Sequence, residues 1–443
     1  MLLLHVSDIH FKAPDCLDPG TDPERPYRTR LLQDLRGMVA DLGPVSAVLI
    51  GGDIAFKGAP EEYQTALTWI RELAATAGCP DERVYVVPGN HDVDRGVIRR
   101  APSTQNAQAA IVRAGDAERE RVFRTQIRDP DTARALLSPI DAYNEFAARF
   151  NCQVFLPDRL YWKQDLDLGQ GIILRVHGLT STMLSGLEGK NDQRAALYVS
   201  PLQTVLDPVD DVVNLVLCHH PPDWLHDQDD VNDAIIGKSA IHMFGHKHRQ
   251  RIVRDPNYVR FSAGAVNPDR QEPGWLPGYN LVDVQVRGEG RDREIFVEAH
   301  LRQWQSNPDL FRPVLTAERQ DVHHHSIRFP GHEPSGATPR EIDERPVAAL
   351  TADAKIGVPP AQHEANLGEA AMGDASTRNL VFRFWNLTAS QRREIARRLA
   401  IVEESEMGAP EPERYGRALI RAGERGLLED LAREVAQREA ANG

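Results

Sequence analysis

The sequence predicts an α/β protein with a helical insertion, followed by a small all-α domain. Near the start of the chain, short apolar runs rich in β-branched residues alternate with amphipathic helical segments. Each run ends in small or turn-forming residues followed by polar ones. From about residue 93 to about residue 165 the pattern changes to polar helices rich in Arg and Glu. Residues 376–443 show helical periodicity alone.

Strand and helix alternate at the start of the chain. Within the first helix, Leu31 and Leu35 recur at helical spacing, and Gly43-Pro44 ends the pattern. Because strand, helix and strand follow one another, we expect parallel strands joined by right-handed crossovers. The predicted elements are strands over residues 2–7, 45–50 and 84–87 and helices over 27–42 and about 60–77.

The second half of the sheet is predicted to be mixed or antiparallel, since several of its strands follow one another without an intervening helix. These strands are predicted over residues 171–177, 212–218, 240–244, 258–262, 281–286 and 295–300. Residues 313–375 form a predicted linker, acidic and rich in Pro and Gly. Within it, His323-His324-His325 is interpreted as a polar loop, with opportunistic metal binding as the alternative.

The last part of the chain predicts a separate helical domain over residues 376–443. Thr388 and Gln391 have the spacing of a capping box, which predicts the start of a helix. We place Trp385 and Phe382 in the core of this domain rather than on a binding surface. No constellation of catalytic residues is evident there.

The composition is that of a globular protein and restricts its partners. The chain has 443 residues, of which 41% are hydrophobic and 26% charged. No run approaches the ~18 apolar residues of a membrane span, and the apolar N-terminus lacks the basic leader of a signal peptide. A net charge of −13 argues against broad binding to duplex DNA, which needs clustered Lys and Arg. It does not exclude a local basic groove.

The four cysteines predict a reducing, cytoplasmic location. Cys16, Cys79, Cys152 and Cys218 are scattered along the chain and show no paired spacing. Free thiols fit this pattern better than disulfides or a zinc knuckle.

Residue types that bind metals follow the ends of several predicted strands, at the edge where α/β folds place ligands. Each alone has an ordinary explanation, such as a helix cap for Asp8, but the repeated arrangement is hard to obtain by chance. Carboxylate, imidazole and amide groups together favour manganese, iron or zinc over calcium. The candidate ligands are Asp8, His10, Asp53, Asn90, His219, His246 and His248.

Seven ligands exceed the needs of one ion, which predicts two. A shared carboxylate would let both ions reach a sensible coordination number, and a pair about 3.5–4 Å apart can clamp a phosphoryl oxygen and activate a water. Glycines such as Gly52 and Gly89 would let the backbone approach a crowded site. Beside Asn90, His91 can act as a general acid and Asp92 can orient it.

These residues resemble the five-part signature of calcineurin-like metallophosphoesterases. The parts are Asp8-x-His10, Gly52-Asp53, Gly89-Asn90-His91-Asp92, His219 and Gly245-His246-x-His248, in order over residues 1–312. The resemblance implies a four-layer α/β/β/α sandwich with two divalent metal ions, for which we favour manganese over iron or zinc.

The resemblance also implies a role for each residue. The first metal would be held by Asp8, His10, Asp53 and His248, and the second by Asp53 as the bridge with Asn90, His219 and His246. His91 would stabilise or protonate the leaving oxygen, oriented by Asp92. The family pattern favours His219 over His220 as the ligand, which leaves His220 to contact substrate.

The predicted function is hydrolysis of phosphodiesters, by a nuclease or a nucleotide phosphodiesterase. The motifs His219-His220-Pro221-Pro222 and Gly245-His246-Lys247-His248 resemble those of such members more than those of protein phosphatases. Substrates from cyclic nucleotides to single-stranded or nicked nucleic acid stay open. Arg95 could contact phosphate, with a solvated helix face as the alternative. A phosphomonoesterase and a catalytically idle, nucleotide-sensing scaffold are the alternative functions.

The segment from Asn379 to Leu387, with the helices after it, is similar to small death-like adaptor domains found on bacterial effector proteins. This similarity implies that a protein partner recruits or switches the catalytic domain through helix–helix contacts, as in a bacterial defence system. Docking on the chain's own catalytic domain and self-association into a homo-oligomer are the alternatives.

Overall fold

Two β-sheets with helices on their outer faces, and a separate group of helices at the C-terminus, make up the computed structural model, which describes residues 1–269, 276–329 and 375–442. The strands are β1 (Leu2–Val6), β2 (Ala47–Ile50), β3 (Val84–Val86), β4 (Trp162–Gly169), β5 (Ile172–Gly178), β6 (Val212–Cys218), β7 (Ile241–Phe244), β8 (Arg251–Asp255), β9 (Tyr258–Ser262), β10 (Gly278–Arg287), β11 (Glu294–Gln305), β12 (Leu310–Pro313) and β13 (His323–Arg328). The α-helices are α1 (Arg25–Leu42), α2 (Pro60–Ala77), α3 (Arg95–Arg100), α4 (Pro102–Arg113), α5 (Asp116–Arg128), α6 (Pro130–Leu137), α7 (Asp141–Ala147), α8 (Gln228–Ile236), α9 (Ala375–Asn386), α10 (Ala389–Arg398), α11 (Glu411–Glu424) and α12 (Leu428–Asn442). None of the helices in these ranges combines the length and the apolar character that crossing a membrane requires.

Both sheets are built around parallel strands. The first has the order β12-β11-β10-β1-β2-β3, with β13 paired to β11, and its β1, β2 and β3 are parallel. The second has the order β4-β5-β6-β7-β9-β8, in which β5, β6, β7 and β9 are parallel. The predicted α/β class is confirmed. The strands in the second half of the catalytic domain pair in both parallel and antiparallel fashion, as predicted.

Strand β6 shows how the layers stack. Val213, Leu215 and Leu217 pack into the main core, which also contains apolar residues of the first sheet. Val216 and Cys218 point to the opposite face and pack in a second cluster with apolar residues of α8. This alternation with period two places β6 between two apolar layers. The protein therefore has the four-layer α/β/β/α arrangement that the sequence predicts.

A buried glutamate of α2 fixes the loop after β2. Glu62 lies in the first turn of α2, where Pro60 opens the helix. Its carboxylate satisfies backbone N–H groups that would otherwise be buried without acceptors. The donors are the N–H groups of Ala13 (3.0 Å), Phe56 (3.2 Å), Lys57 (2.9 Å) and Ala59 (3.2 Å). The buried carboxylate of Glu62 therefore fixes the conformation of the loop that carries Asp53.

Several elements differ from the sequence prediction. The interpretation of His323-His324-His325 as a loop is wrong, because these residues open β13 and pair antiparallel with β11. Successive imidazoles then point to opposite faces of the sheet and do not converge. The predicted insertion reaches too far, since the helices end by residue 150 and Trp162 opens β4. The sequence analysis did not predict strands β4, β8 and β12 or helix α8. Residues 330–374 of the predicted linker lie outside the described residues.

The C-terminal domain, formed by α9 to α12, has a core of its own, built around Phe384, Tyr415 and Leu431. Its predicted capping box is confirmed, since the backbone N–H of Thr388 donates to Gln391 Oε1 at 3.0 Å and that of Gln391 to Thr388 Oγ1 at 3.3 Å. Trp385 is buried as predicted. The placement of Phe382 in the core is wrong, because its ring is only half-buried and lies 5.7 Å from the Arg71 guanidinium.

Arg378 docks this domain on the edge strand β3. Its side chain is 3% exposed. The guanidinium donates to the carbonyl oxygens of Glu82, Val84 (3.2 Å) and Phe150 (3.1 Å). It also lies 4.2 Å from the centre of the Tyr85 ring. The domain thereby supplies donors to carbonyl groups on the side of β3 that has no neighbouring strand in the part of the chain that the structure describes.

Candidate metal centre

The ends of five strands bring the predicted ligands to one edge of the two sheets. Asp8 follows β1, Asp53 follows β2 and Asn90 follows β3, while His219 and His246 follow β6 and β7. Backbone hydrogen bonds join the loops: the N–H of Asp8 donates to Gly52 O at 3.0 Å, and that of Gly245 to His219 O at 3.1 Å. A side chain at Gly89 would clash, because a Cβ there would lie 2.1 Å from Asp53 Oδ1.

Many of these ligands have a strained backbone. Non-glycine residues rarely adopt positive φ, and each such residue costs about 1–3 kcal/mol unless its surroundings hold it. Those with positive φ in the site are Asp8 (55°), His10 (54°), Asp53 (52°), His246 (68°) and His248 (53°). Strain concentrated on one group of facing side chains indicates a functional site.

Asp53 lies at the centre of the group. Its Oδ2 is 3.4 Å from His10 Nε2 and 3.3 Å from His219 Nε2. Its Oδ1 accepts a hydrogen bond of 2.7 Å from the backbone N–H of His91. On the His10 side, Asp8 Oδ1 is 3.0 Å from His248 Nε2. One carboxylate thus faces both halves of the site, as a bridging ligand would.

Three imidazole nitrogens surround the side-chain oxygen of Asn90. Its Oδ1 is 3.1 Å from His219 Nε2, 3.2 Å from His220 Nε2 and 2.9 Å from His246 Nδ1. An amide oxygen has two lone pairs, so it cannot accept well from all three. The structure therefore brings together the seven predicted ligands and adds His220 to them.

The hydrogen bonds on the outer side of the rings show that these residues fit a cation. His219 Nδ1 is 2.7 Å from the carbonyl oxygen of Gly51, and His10 Nδ1 is 3.1 Å from that of Asn267. A carbonyl only accepts, so Nδ1 carries the proton, and in the neutral ring Nε2 presents its lone pair to the site. That lone pair then faces the oxygens of Asp53 and Asn90, which also only accept. A divalent cation between them removes this conflict.

Without a metal, protons take the place of the cation. Burial opposes protonation of His219, but the carboxylates of Asp53 and Asp8 outweigh it and raise its pKa to about 9. Burial likewise disfavours the charged form of Asp53, but His219, His91 and His10 hold its pKa well below the usual range. Metal binding at such a site releases protons.

Overlapping sets of side chains provide more than one place for an ion. In each set, the ligand atoms lie within 4.8 Å of one another. The sets are Asp8, His10 and His248; His10, Asp53 and His91; Asp8, Asp53 and His219; and His219, His220 and His246. Imidazole-rich sets with few carboxylates favour transition metals or zinc over magnesium or calcium.

The predicted role of Asp92 is wrong. His91 Nδ1 is 2.8 Å from the carbonyl oxygen of Phe56, and its ring stacks on that of Phe56 with centroids 4.9 Å apart. Asp92 instead accepts from the N–H groups of Ala55 (2.9 Å) and Gly89 (2.9 Å). Backbone N–H groups therefore occupy both carboxylate oxygens of Asp92. The carbonyl oxygen of Phe56 orients His91 instead. The sequence contains no pattern that marks a backbone carbonyl for this role.

The two predicted substrate contacts have different outcomes. His220 is completely buried, with Nδ1 2.8 Å from Ser181 Oγ and Nε2 directed at Asn90. The substrate role of His220 is therefore wrong, because both ring nitrogens are engaged inside the site. Arg95 opens α3 and donates to Asn191 Oδ1 in an exposed position. A phosphate contact for Arg95 stays a prediction.

The C-terminal domain matches a known family, and several solved structures are similar to the chain. Residues 376–437 match the family described as the GTPase-associated adaptor domain. No curated protein matches the chain. Similar solved structures include Chaetomium thermophilum Vps29 (12% identity, TM-score 0.29, covering 74% of this chain and 99% of that one) and Entamoeba histolytica Vps29 complexed with zinc (11%, 0.28, 74% and 99%). A putative 5′-nucleotidase from Staphylococcus aureus is also similar (13%, 0.31, 77% and 56%).

The family match extends over the strand ends that carry the ligands. Residues 1–250 of the 443 match the family described as calcineurin-like phosphoesterase. Members of this family use divalent metals, and this stretch contains all seven predicted ligands. Because the match covers more than half of the chain, the protein belongs to the calcineurin-like phosphoesterases, with an adaptor domain at its C-terminus.

Proposed function

We propose that the protein hydrolyses phosphodiester bonds with two divalent metal ions, manganese being the favoured one. The observation that supports this proposal is the set of inward-facing acceptors around Asp53. In the neutral form, the lone pairs of His10 and His219 point at carboxylate and amide oxygens, an arrangement that a cation stabilises.

Seven side chains share the two ions in this proposal. Asp8, His10, Asp53 and His248 hold the first, and Asp53, Asn90, His219 and His246 hold the second. His220 is a further candidate ligand beside Asn90, because its Nε2 faces the same oxygen. When bound, the ions draw charge from the phosphoryl oxygens and lower the pKa of a water that attacks phosphorus.

His91 supplies the proton to the leaving oxygen. Its Nδ1 donates to Phe56 O, so the substrate side of the ring is Nε2. Burial lowers the pKa of His91, although the carboxylate of Asp53 opposes this effect. A proton on Nε2 is therefore held weakly and passes readily to an oxygen that gains negative charge.

Two substitutions test these roles in a manganese-dependent assay with bis-p-nitrophenyl phosphate. Asp53→Asn removes the bridging charge, and we expect loss of both metal binding and hydrolysis. His91→Asn leaves the other ligands in place, and we expect metal binding to persist while kcat falls about 10²–10⁴-fold. Asp41→Asn, at an exposed carboxylate of α1, serves as the matched control.

The same assay separates the alternative functions. Release of p-nitrophenol from p-nitrophenyl phosphate but not from the diester would make the protein a phosphomonoesterase. Metal binding without turnover of either ester would indicate an idle scaffold. Full diester activity in Asp53→Asn would contradict the metal assignment itself.

We further propose that the C-terminal domain binds a protein partner, as its match to an adaptor family suggests. Its contact with β3 through Arg378 means that such a partner would bind next to the catalytic domain. The cytoplasmic location, the role in bacterial defence and self-association stay predictions from the sequence.

A further inference from the structure

The ring of Trp224 lies at the edge of the metal centre. Trp224 ends the short 3₁₀ turn Pro222–Trp224, directly after the histidines that follow β6. The centroids of Trp224 and His246 are 4.0 Å apart, with their planes at 81°, and His220 lies 6.2 Å away. Since His246 is one of the proposed ligands and its Nδ1 contacts Asn90 Oδ1, a single imidazole ring separates the indole from the proposed metal position. In a nucleotide, one sugar ring likewise separates the base from the phosphate.

Backbone contacts hold Trp224 in place. Its N–H donates to Pro221 O at 3.0 Å, and its carbonyl accepts from the N–H of Leu197 at 3.2 Å. The next residue, Leu225, is buried and forms a β-bridge with Leu197. An aromatic ring fixed in this way loses little conformational entropy when a ligand stacks on it.

The indole packs against the apolar cluster shared by β6 and α8 but is only partly covered by it. Trp224 is half-buried, and within the described ranges its ring contacts are perpendicular or tilted rather than parallel. The other aromatic residue at the site differs. Phe56 stacks on His91, and Lys12 Nζ lies 4.8 Å from its centroid. Trp224 is therefore the better platform for a planar group.

Two cations bind Asp223, the residue that precedes Trp224, although the chain as a whole is acidic. Lys247 Nζ lies 2.7 Å from Asp223 Oδ1, and Arg194 Nη2 lies 2.7 Å from Asp223 Oδ2. Lys247 and Arg194 share the single carboxylate of Asp223, so these three side chains together carry a net positive charge. An aromatic platform beside positive charge is the combination that binds nucleotides and single-stranded nucleic acids.

We propose that Trp224 stacks on the nucleobase of the substrate, so that the diester cleaved at this site belongs to a nucleoside. This inference rests on the proposed phosphodiesterase function and names its substrate class. Trp224 is then a specificity residue, with Lys247 and Arg194 placed to attract the phosphates next to the base.

A pair of chromogenic diesters tests the proposal on the full-length protein with manganese. Thymidine 5′-(p-nitrophenyl phosphate) and methyl p-nitrophenyl phosphate release the same leaving group from the same kind of bond, but only the first carries a base. We expect the wild type to prefer the thymidine ester. Trp224→Ala should lower the ratio of the two kcat/KM values roughly tenfold, as expected for the loss of one stacked base. Trp224→Phe, which keeps an aromatic ring against His246, should lower the ratio less.

Arg194→Gln is the matched control, because Arg194 pairs with Asp223, the neighbour of Trp224, and is 70% exposed. Loss of this cation should reduce kcat/KM for both esters by the same factor, so that the ratio of the two values stays unchanged. A Trp224→Ala variant with an unchanged ratio would overturn the proposal, because the indole would then only support His246. Equal wild-type kcat/KM on both esters would also overturn it while leaving the phosphodiesterase function standing. Hydrolysis of neither ester would instead refute the proposed function.

Natural substrates provide a second readout. Cleavage of a short oligothymidylate or of a cyclic nucleotide by the wild type, weakened in Trp224→Phe through a higher KM at similar kcat, would support the proposal and identify the source of the base. A lower kcat with an unchanged KM on these substrates would count against it.

Discussion

The buried carboxylate of Asp92 joins two loops of the metal centre. Its Oδ1 accepts from the N–H of Ala55, and its Oδ2 from that of Gly89. The hydroxyl of Tyr63 donates to Oδ1 as well, at 2.9 Å. These loops carry Asp53 and Asn90, so Asp92 positions two of the proposed metal ligands. It does so without contacting the imidazole of His91, the proposed general acid.

We predict that Asp92→Asn destabilises the protein more than it alters proton transfer. An amide group can accept at only one of its two ends, so a backbone N–H of Ala55 or Gly89 would lose its acceptor. We expect the free energy of unfolding to fall by about 1–3 kcal/mol. Denaturant unfolding measures this change. The part of the pH profile of kcat that reflects protonation of His91 (the His91 limb) should stay as in the wild type.

Tyr63→Phe is the milder control, because it removes only one donor to the same carboxylate. We expect a loss of about 0.5–1.5 kcal/mol. An Asp92→Asn variant of normal stability with a shifted His91 limb would restore the role that the sequence suggested for this aspartate.

At the residue scale, the ligands could be predicted because chemical type and position agreed. Asp8, Asn90 and His246 each follow an apolar run, and each offers an atom that metals accept. The orientation of His91 could not be predicted, because its partner is a backbone carbonyl in a loop shaped by Glu62. The location of His220 inside the cage likewise depends on how β6 and β3 are placed in space.

At the scale of elements, β3 connects the metal centre to the C-terminal domain. Its carboxyl end leads to Asn90 and His91, and its amino end follows the turn that Arg378 contacts. Among the described residues no carboxylate forms an ion pair with Arg378, so carbonyl oxygens and the Tyr85 ring balance its buried charge. Such a charge stays buried only while all of these partners are in place.

We predict that Arg378→Met releases the C-terminal domain from β3. The substitution leaves the carbonyl oxygens of Glu82, Val84 and Phe150 without this donor, and each buried group left unpaired costs about 1–3 kcal/mol. The domain has its own core and should stay folded. Hydrogen exchange of the Val84–Val86 amides should accelerate relative to the wild type.

Arg393→Met provides the matched control, since Arg393 is exposed on α10 of the same domain. Exchange in β3 should then remain as slow as in the wild type. Unchanged exchange in Arg378→Met would show that the docked arrangement does not depend on this arginine.

Elements with clear apolar periodicity could be predicted from the sequence, and polar strands could not. Strand β6 is apolar at nearly every position, and both of its bounds were predicted correctly. Strands β8 and β13 are rich in Arg and His and form because they pair with β9 and β11, long-range contacts that a local pattern does not reveal.

At the scale of the whole molecule, two sheets contribute ligands that neither could assemble alone. β1, β2 and β3 bring the carboxylates and Asn90, while β6 and β7 bring imidazoles. Close backbone contact between the sheets is needed, and Gly245 permits it, because a Cβ there would lie 2.1 Å from Ser7 Oγ. The position of the site could be predicted from the strand order, but its left-handed backbone angles arise from this convergence.

Anomalous diffraction from crystals grown with manganese, recorded at the manganese absorption edge, tests the central claim most directly. We expect two peaks about 3.5–4 Å apart, with the carboxylate of Asp53 between them. Asp8, His10 and His248 should surround one peak, and Asn90, His219 and His246 the other. The absence of any peak within this cage, or a single peak without Asp53 among its ligands, would contradict the account.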